Sequence, residues 1–181
     1  MSDRAPPIIV TAQVDADADA LFNRRRQQFY PPALNRVPAH LTLFHQLPGA
    51  HEADIVAGVA AAAAVPPVFE VTVAGLMMLG HGVAYRITSE TLIAFRSRLA
   101  AQFGGWLTGQ DRQGFRPHVT VQNKVRVETA RGTRAILERD FVPFPARIEA
   151  VQLWHYAGGP WQPLGVIALH TGPECPEFPV K

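Results

Sequence analysis

The sequence predicts a mixed α and β protein, because segments patterned like strands alternate with helical segments along its whole length. Apolar residues make up 48% and charged residues 18% of the 181 residues, as is ordinary for a globular protein. A chain of this length is long enough for one domain with a sizeable core, which we place at residues 1–181. The formal net charge of +2 permits a phosphate-bearing partner without requiring one.

Four segments have helical character. Residues 15–29 begin with alternating aspartates and end with an arginine cluster, an arrangement that complements the helix dipole, and Pro31 and Pro32 stop the helix. Residues 91–103 place apolar side chains at intervals of three to four, which is the spacing of one helix face. The other two predicted helices are residues 51–64, rich in alanine, and residues 128–139.

Strand patterning fills most of the remaining chain. The predicted strands are residues 8–10, 37–47, 68–73, 82–88, 118–125, 147–156 and 164–170. The last two are predicted to form a hairpin, whereas residues 75–82 and 104–114 are predicted as connections because they carry several glycines. Residues 172–181 hold three prolines and are predicted to be an irregular tail.

Two short sequences repeat within the chain. Residues 38–43 read Pro-Ala-His-Leu-Thr-Leu, and residues 116–121 read Arg-Pro-His-Val-Thr-Val. The histidine of the second copy, His118, lies 78 positions after His40, and each copy is preceded and followed by a predicted helix. The chain is therefore interpreted as two similar halves, each of which offers one strand with a His-x-Thr motif.

Strand geometry places each motif histidine beside its own threonine. Successive side chains on a strand point to opposite faces, so His40 and Thr42 share one face, as do His118 and Thr120. The intervening leucines and valines face a core. Two imidazoles can give and take a proton near neutral pH, and two hydroxyls can donate hydrogen bonds to phosphate oxygens. We predict that His40 and His118 are catalytic and that Thr42 and Thr120 bind the phosphate of a phosphodiester.

Four further residues are candidates for substrate binding. Phe44 continues the face of His40 and is placed to stack on a base, although core packing explains it equally well. Gln122 and Lys124 continue the face of His118, and an exposed lysine at a strand end is the alternative for Lys124. Tyr156, like Trp161, either lines the cleft or packs in the core.

Several other classes of protein are disfavoured. Cys175 is the only cysteine, so the chain has no intrachain disulfide and no cysteine-based zinc site. The histidines lack metal-ligand spacing, and a glycine-rich phosphate loop is absent, so we expect no metal and no cofactor. The N-terminus lacks the apolar stretch of a signal peptide, and the longest apolar run is too short to cross a bilayer. We expect a cytoplasmic protein without a membrane partner.

The two motifs and their surroundings are similar to those of a known family. It resembles the two-histidine (2H) phosphoesterases, and specifically the bacterial 2′-5′ RNA ligase and 2′,3′-cyclic phosphodiesterase branch. The resemblance rests on the His-Leu-Thr-Leu sequence from His40, on Pro117 followed by His-Val-Thr-Val, and on their separation. Residues 153–161, which read Leu-Trp-His-Tyr-Ala-Gly-Gly-Pro-Trp, are similar to the closing hairpin of that family. The similarity extends over roughly residues 8–170.

The resemblance implies a fold, an activity and a partner. The fold is a bilobal α+β structure of the LigT-like type with pseudo-two-fold symmetry, in which the cleft lies between two antiparallel sheets flanked by helices. The activity is hydrolysis of 2′,3′-cyclic phosphates to 2′-phosphates, or the related ATP-independent joining of RNA ends. His40 and His118 then form the catalytic pair, without an assignment of acid and base. The partner is an RNA end or a small nucleotide, and the protein is expected to be a monomer.

Two alternative functions stay open at the level of the sequence. One is hydrolysis of another small nucleotide ester, such as a 2′-5′ oligoadenylate or a cyclic phosphate of ADP-ribose. The other is a non-catalytic RNA-binding protein with the same fold, against which two intact pairs of histidine and threonine argue.

Overall fold

A computed structural model of the protein describes residues 5–170. The seven strands are β1 (Ile8–Val14), β2 (Leu41–Leu47), β3 (Phe69–Met78), β4 (Val83–Thr88), β5 (His118–Gln122), β6 (Phe144–His155) and β7 (Gln162–Ala168). The four helices are α1 (Ala16–Phe29), α2 (Glu52–Ala63), α3 (Glu90–Gln102) and α4 (Val127–Glu138). Short 3-10 turns occur at Pro32–Leu34, Gly49–His51 and Gly104–Trp106.

Two helices begin at side chains that satisfy their free backbone amides. The carboxylate of Asp15 accepts a hydrogen bond of 3.1 Å from the amide of Ala18 at the start of α1. The hydroxyl of Ser89 accepts one of 3.2 Å from the amide of Leu92 at the start of α3. Such caps satisfy amides that have no partner within the helix, so these two sequence positions determine where each helix starts.

All seven strands belong to one antiparallel sheet in the order β1-β2-β5-β4-β3-β6-β7. Because β1 also pairs with β6, six of the strands form a closed ring, and β7 extends from β6. The mixed α and β class is confirmed, but the predicted pair of separate sheets is wrong. Strand β6 is twelve residues long, and along one edge it pairs first with β3 and then with β7, while its other edge pairs with β1. One long strand thus joins what would have been two sheets.

The order of the elements repeats along the chain. The series β1-α1-β2-α2-β3 is followed by β4-α3-β5-α4-β6, with the same types in the same order. The two series are interleaved in space, since β1 pairs with β6 of the second series and β3 pairs with both β4 and β6. That residues 1–181 form one domain of two similar lobes stays a prediction.

Most element boundaries lie close to the predicted ones, but three strands differ more. Strand β1 continues to Val14 instead of ending at residue 10, β2 begins at Leu41 instead of residue 37, and β3 ends five residues later than predicted. Strand β3 continues to Met78, so the first half of the connection predicted at residues 75–82 is a strand that pairs with β4. Gly75 lies at a register shift in this pairing, and Gly80, with a φ of +74°, makes the short turn that follows. The glycines here mark an irregular strand and a tight turn, both of which glycine permits. The predicted tail at residues 172–181 lies outside the described residues.

The core lies between one face of the sheet and the helices. Buried apolar side chains of the strands form one cluster with Phe22 of α1 and with Phe95 and Leu99 of α3. The rings of Phe22 and Tyr85 lie 5.3 Å apart, and helix α1 packs against β5. The helices therefore hold the motif strands from behind and leave the opposite face of these strands open. Within residues 5–170, none of the helices has the length and apolar character that crossing a membrane requires.

Candidate active site

The two motif strands are neighbours in the sheet, yet a single residue pair joins them. Leu41 of β2 pairs with Val119 of β5 in antiparallel orientation, and both side chains are buried in the core. Residues opposite each other on antiparallel strands point to the same face, so the residues on either side of this pair share the other face. Those residues are His40, Thr42, His118 and Thr120, and all four line one cleft of about 400 Å³.

The single pair also determines how the four side chains are arranged. Counting outward from Leu41 and Val119, His40 lies opposite Thr120, and Thr42 lies opposite His118. The two histidines are then diagonal neighbours, which on adjacent strands are separated by about 7–8 Å. Both imidazoles can therefore reach opposite sides of one phosphate, and each has a hydroxyl beside it and another across from it.

Both motif imidazoles are oriented by the same hydrogen bond. Nδ1 of His40 lies 2.8 Å from the carbonyl oxygen of Pro38, and Nδ1 of His118 lies 2.7 Å from that of Arg116. Each carbonyl belongs to the residue two positions earlier in the chain. A carbonyl oxygen only accepts, so Nδ1 carries the hydrogen in both rings. Nε2 is therefore the atom that is free to exchange a proton with a ligand.

The surroundings of His40 favour its neutral form. Burial lowers the pKa of His40 to about 4, and the positive charges of Arg26, His118 and His45 act in the same direction, against the hydrogen bond to Pro38. The ring of Trp161, from the turn between β6 and β7, covers His40 at a centroid distance of 4.5 Å. A neutral ring with Nε2 free is the state that accepts a proton.

A β-bulge in each motif strand overturns two of the predicted substrate residues. In β2, Val10 pairs with Phe44 and Thr11 with Thr42, so one extra residue follows the threonine. In β5, Val83 pairs with Gln122 and Ala84 with Thr120, so the same insertion occurs at the equivalent position. A bulge shifts the alternation of side chains by one. Phe44 and Gln122 therefore point into the core and not into the cleft. For Phe44 this is the core-packing alternative, whereas for Gln122 the prediction of a cleft-facing side chain is wrong.

The core contacts of these two side chains agree with that orientation. Phe44 is 0% exposed, and its ring lies 5.8 Å from that of Phe103. Gln122 is 2% exposed, and its Nε2 donates hydrogen bonds to the hydroxyl of Thr133 at 2.8 Å and to the carbonyl of Phe29 at 3.3 Å. Both residues stabilise the fold behind the motif rather than touching a ligand.

The same bulges bring two residues into the cleft that the sequence did not single out. His45 and Asn123 each lie five positions after a motif histidine, and both line the cleft. A strict alternation along either strand places them on the core side. Their equal distance in sequence from the motif histidines is the signal that could have identified them. The bulge that directs their side chains to the cleft is formed by pairing with the neighbouring strand, so it cannot be predicted from one strand alone.

Two more predicted residues lie away from the site. Lys124 is exposed, has a φ of +61° after the end of β5, and does not line the cleft. Tyr156 is 41% exposed, and its backbone amide donates to the carbonyl of Pro7. Tyr156 begins the turn between β6 and β7, whereas Trp161 ends it. The turn between β6 and β7 does supply an aromatic wall to the cleft, but the residue is Trp161. Arg116, next to the second motif, also lines the cleft.

Two buried arginines support the motif strands from the helices. Nη1 of Arg26 in α1 donates to the carbonyl of Thr120 at 2.9 Å, and its Nε donates to Asn35 and Val37 in the segment before β2. Arg96 in α3 donates to the carbonyl of Leu43 at 3.4 Å. Each helix therefore anchors the motif strand of the other half of the chain, which fixes the backbone on both sides of the cleft.

Comparisons with known proteins bear on this geometry. A family model described as the 2′-5′ RNA ligase superfamily matches residues 14–160. A search of curated proteins found no significant match. In the residues that the structure describes, there is no group of three or more histidine, cysteine or carboxylate side chains placed to hold a metal ion.

Several solved structures share the fold. TT0787 of Thermus thermophilus is 16% identical, with a TM-score of 0.64, and the match covers 93% of this chain and 100% of that one. LigT of E. coli complexed with 3′-AMP is 18% identical, with a TM-score of 0.60 and coverage of 91% and 98%. LigT complexed with NADP+ is 18% identical, with a TM-score of 0.58 and the same coverage. At these identities the likeness shows a common fold.

Proposed function

The chain belongs to the 2′-5′ RNA ligase superfamily, and on that premise we propose that it opens 2′,3′-cyclic phosphates to 2′-phosphates without a metal ion. The resemblance that the motifs indicated is thereby confirmed at the level of the family. The substrate and the roles of the residues form our proposal. The observation that supports it is the single pair of Leu41 and Val119, beside which two imidazoles and two hydroxyls line the same cleft.

The proposed reaction uses the two rings as a matched base and acid. Nε2 of His40, which is neutral because its pKa is lowered, takes a proton from a water molecule that attacks the phosphorus. The bond from phosphorus to the 3′ oxygen breaks, and Nε2 of His118 gives its proton to that oxygen. The product is a 2′-phosphate with a free 3′ hydroxyl, and proton exchange with solvent restores both rings.

The threonines act on the charge of the phosphate. The hydroxyls of Thr42 and Thr120 donate hydrogen bonds to the two non-bridging oxygens, which holds the phosphorus in line with the attacking and leaving oxygens. When the 5′ hydroxyl of an RNA strand replaces water, the same steps join two RNA ends by a 2′-5′ linkage. Binding of 3′-AMP by LigT, a protein of the same fold, supports a nucleotide in this cleft.

Mutation of the two histidines tests the proposal. His40→Ala and His118→Ala each remove a proton-transfer group, and we expect the kcat for 2′,3′-cyclic nucleotides to fall about 10² to 10⁴-fold. The assay measures formation of 2′-nucleotides by chromatography in the presence of EDTA, which we expect to leave the activity of the unmodified protein unchanged. His51→Ala is the matched control, because His51 stacks on Trp106 outside the cleft. Activity near that of the unmodified protein in either motif variant would contradict the mechanism.

A further inference from the structure

A third histidine lies in the same cleft and is oriented in the same manner. Nδ1 of His45 lies 2.9 Å from Oδ1 of Asp111, and the backbone amide of His45 donates to the same oxygen at 2.9 Å. The side chain of Asp111 is 1% exposed, whereas that of His45 is 44% exposed. Nδ1 is therefore occupied by a buried carboxylate, and Nε2 is the atom of His45 left for a ligand.

Asp111 serves to hold His45 and has little capacity to bind a ligand itself. Its carboxylate also accepts hydrogen bonds from the backbone amide of Gln46 and the hydroxyl of Thr108, both at 3.2 Å. Burial raises the pKa of Asp111, but the hydrogen bonds from the ring and backbone of His45 lower it by more. The net shift of this pKa is therefore downward. Asp111 is thus an anion whose acceptors are satisfied by protein groups.

The charges around the cleft favour a ligand with more than one negative group. Asp111 is the one carboxylate among the described residues that line it, and its charge is shared with His45 and with Arg96, which is buried behind it. Arg116 adds a second guanidinium to the lining, so that two arginines face one carboxylate in this cleft. An excess of cationic side chains in a cleft concentrates anionic ligands.

His45 is too far along β2 to act on the reacting phosphate. It follows His40 by five residues, which at about 3.3 Å per residue, with one residue taken up by the bulge, separates the two Cα atoms by roughly 13–16 Å. A single phosphate group does not span that distance. His45 nevertheless lies in the same cleft, and its charge contributes to the lowered pKa of His40.

We propose that His45, held by Asp111, binds a second phosphate of the substrate strand, outside the reacting centre. The inference rests on the proposed function, since it assumes that a nucleotide strand enters the cleft with its cyclic phosphate between His40 and His118. With both ring nitrogens protonated, His45 donates from Nδ1 to Asp111 and from Nε2 to an oxygen of a neighbouring phosphodiester, and the carboxylate of Asp111 compensates the charge on the ring. A substrate with at least two phosphates therefore gains a contact that a single cyclic nucleotide lacks.

A length series of substrates tests this subsite. kcat/KM is measured for a nucleoside 2′,3′-cyclic phosphate and for a trinucleotide that ends in the same cyclic phosphate, with the unmodified protein, His45→Ala and His45→Gln. We expect His45→Ala to lower kcat/KM for the trinucleotide about tenfold more than for the mononucleotide, the size expected from losing one charge-assisted hydrogen bond. His45→Gln keeps a neutral donor and should give a smaller difference. His51→Ala, which removes a histidine outside the cleft, is the control that should change neither value.

A binding experiment separates failure of the subsite from failure of the proposed function. The dissociation constant of a labelled trinucleotide carrying a 2′-phosphate is measured by fluorescence anisotropy at two salt concentrations. Weaker binding and a smaller salt dependence in His45→Ala support the subsite even if no cyclic phosphate is hydrolysed. Equal losses on the short and long substrates, or no loss of trinucleotide binding, overturn it. Absence of turnover by the unmodified protein on every cyclic phosphate would instead refute the proposed function.

Discussion

His40 and His118 share a motif and a hydrogen-bond pattern, but the structure gives His40 distinctive surroundings. Burial is the largest cause of the lowered pKa of His40, the charge of Arg26 acts in the same direction, and the ring of Trp161 covers the imidazole. This asymmetry is the basis for assigning His40 as the base, an assignment that the two identical motifs leave open. The sequence places a histidine and a threonine on one face, and the packing around His40 lowers its pKa.

The lowered pKa of His40 predicts how stability depends on pH. The unfolded ring takes a proton near pH 6.5, whereas the folded ring resists protonation until the pH is about 4. The unfolded state therefore binds more protons between these values, so the free energy of unfolding decreases as the pH falls from 6.5 to 4. His40→Gln removes this contribution, and its thermal midpoint, followed by circular dichroism, should decrease less than that of the unmodified protein over this range.

The comparison of the two proteins isolates His40 from the carboxylates. Asp15 and Asp111 also lose stabilising interactions in acid, because their pKa values are lowered despite the opposing effect of burial, but they are present in both proteins. Equal pH dependence of the two midpoints would show that folding leaves the pKa of His40 unshifted. A direct titration of the His40 ring by NMR provides the second measurement.

At the scale of elements, the two bulges are what separate the observed cleft from the predicted one. Each bulge lies directly after a motif threonine. The side chain two positions after that threonine, Phe44 in β2 and Gln122 in β5, therefore points into the core. The same bulges bring His45 and Asn123 to the cleft. The alternation of side chains along a strand predicts the face of the motif residues correctly, because it depends on local geometry alone. It fails after the motifs, because each bulge depends on pairing with the partner strand, β1 or β4.

Helix α1 contributes a buried cation that links the two motif strands. Arg26 donates to the carbonyl of Thr120 and to the segment before β2, and its charge lowers the pKa of His40. Although Arg26 belongs to the arginine cluster at the end of this helix, it is 4% exposed and lies in the core. A buried guanidinium with three hydrogen-bonded acceptors is a structural element of the site.

Substitution of Arg26 should move the pKa of His40. Arg26→Gln removes a nearby positive charge, so protonation of His40 becomes easier and its pKa rises, whereas Arg26→Lys keeps the charge and should leave the pKa lower than in Arg26→Gln. Gln and Lys each have one terminal group in place of the guanidinium fork that reaches Asn35, Val37 and Thr120, so each variant should lower the free energy of unfolding by about 1–3 kcal/mol. NMR titration of His40 together with urea unfolding gives both quantities. If the pKa of His40 is the same in the two variants, the charge of Arg26 does not reach the site.

At the scale of the whole molecule, the two series of elements cannot be separated without breaking strand pairs. Strand β1 of the first series pairs with β6 of the second, and β3 of the first pairs with β4 and β6 of the second. The buried side chains of both series also form one cluster. The ring of strands closes only when both ends of the described chain are in place, which makes its stability a property of the whole.

This interleaving predicts a single unfolding transition. In urea, the unfolding midpoint from tryptophan fluorescence should equal the midpoint from circular dichroism of the backbone. Trp154 and Trp161 report on β6 and the turn after it, whereas circular dichroism reports on the secondary structure of the entire ring. Trp106 adds a reporter near α3. Two separate midpoints would indicate that the lobes unfold independently, contrary to the closed sheet.

The sequence by itself determined the family, the mixed fold class, nearly all of the helices and strands, and the four motif side chains proposed to carry the chemistry. These features depend on local patterns, namely the period of a strand or helix, the caps and the motif residues, which one segment displays unaided. Tertiary structure alone decided that the sheet closes through β6, that Leu41 and Val119 join the motif strands, and that Asp111 holds His45 in the cleft. Each of these depends on residues far apart in the chain, brought together by packing that no single segment specifies.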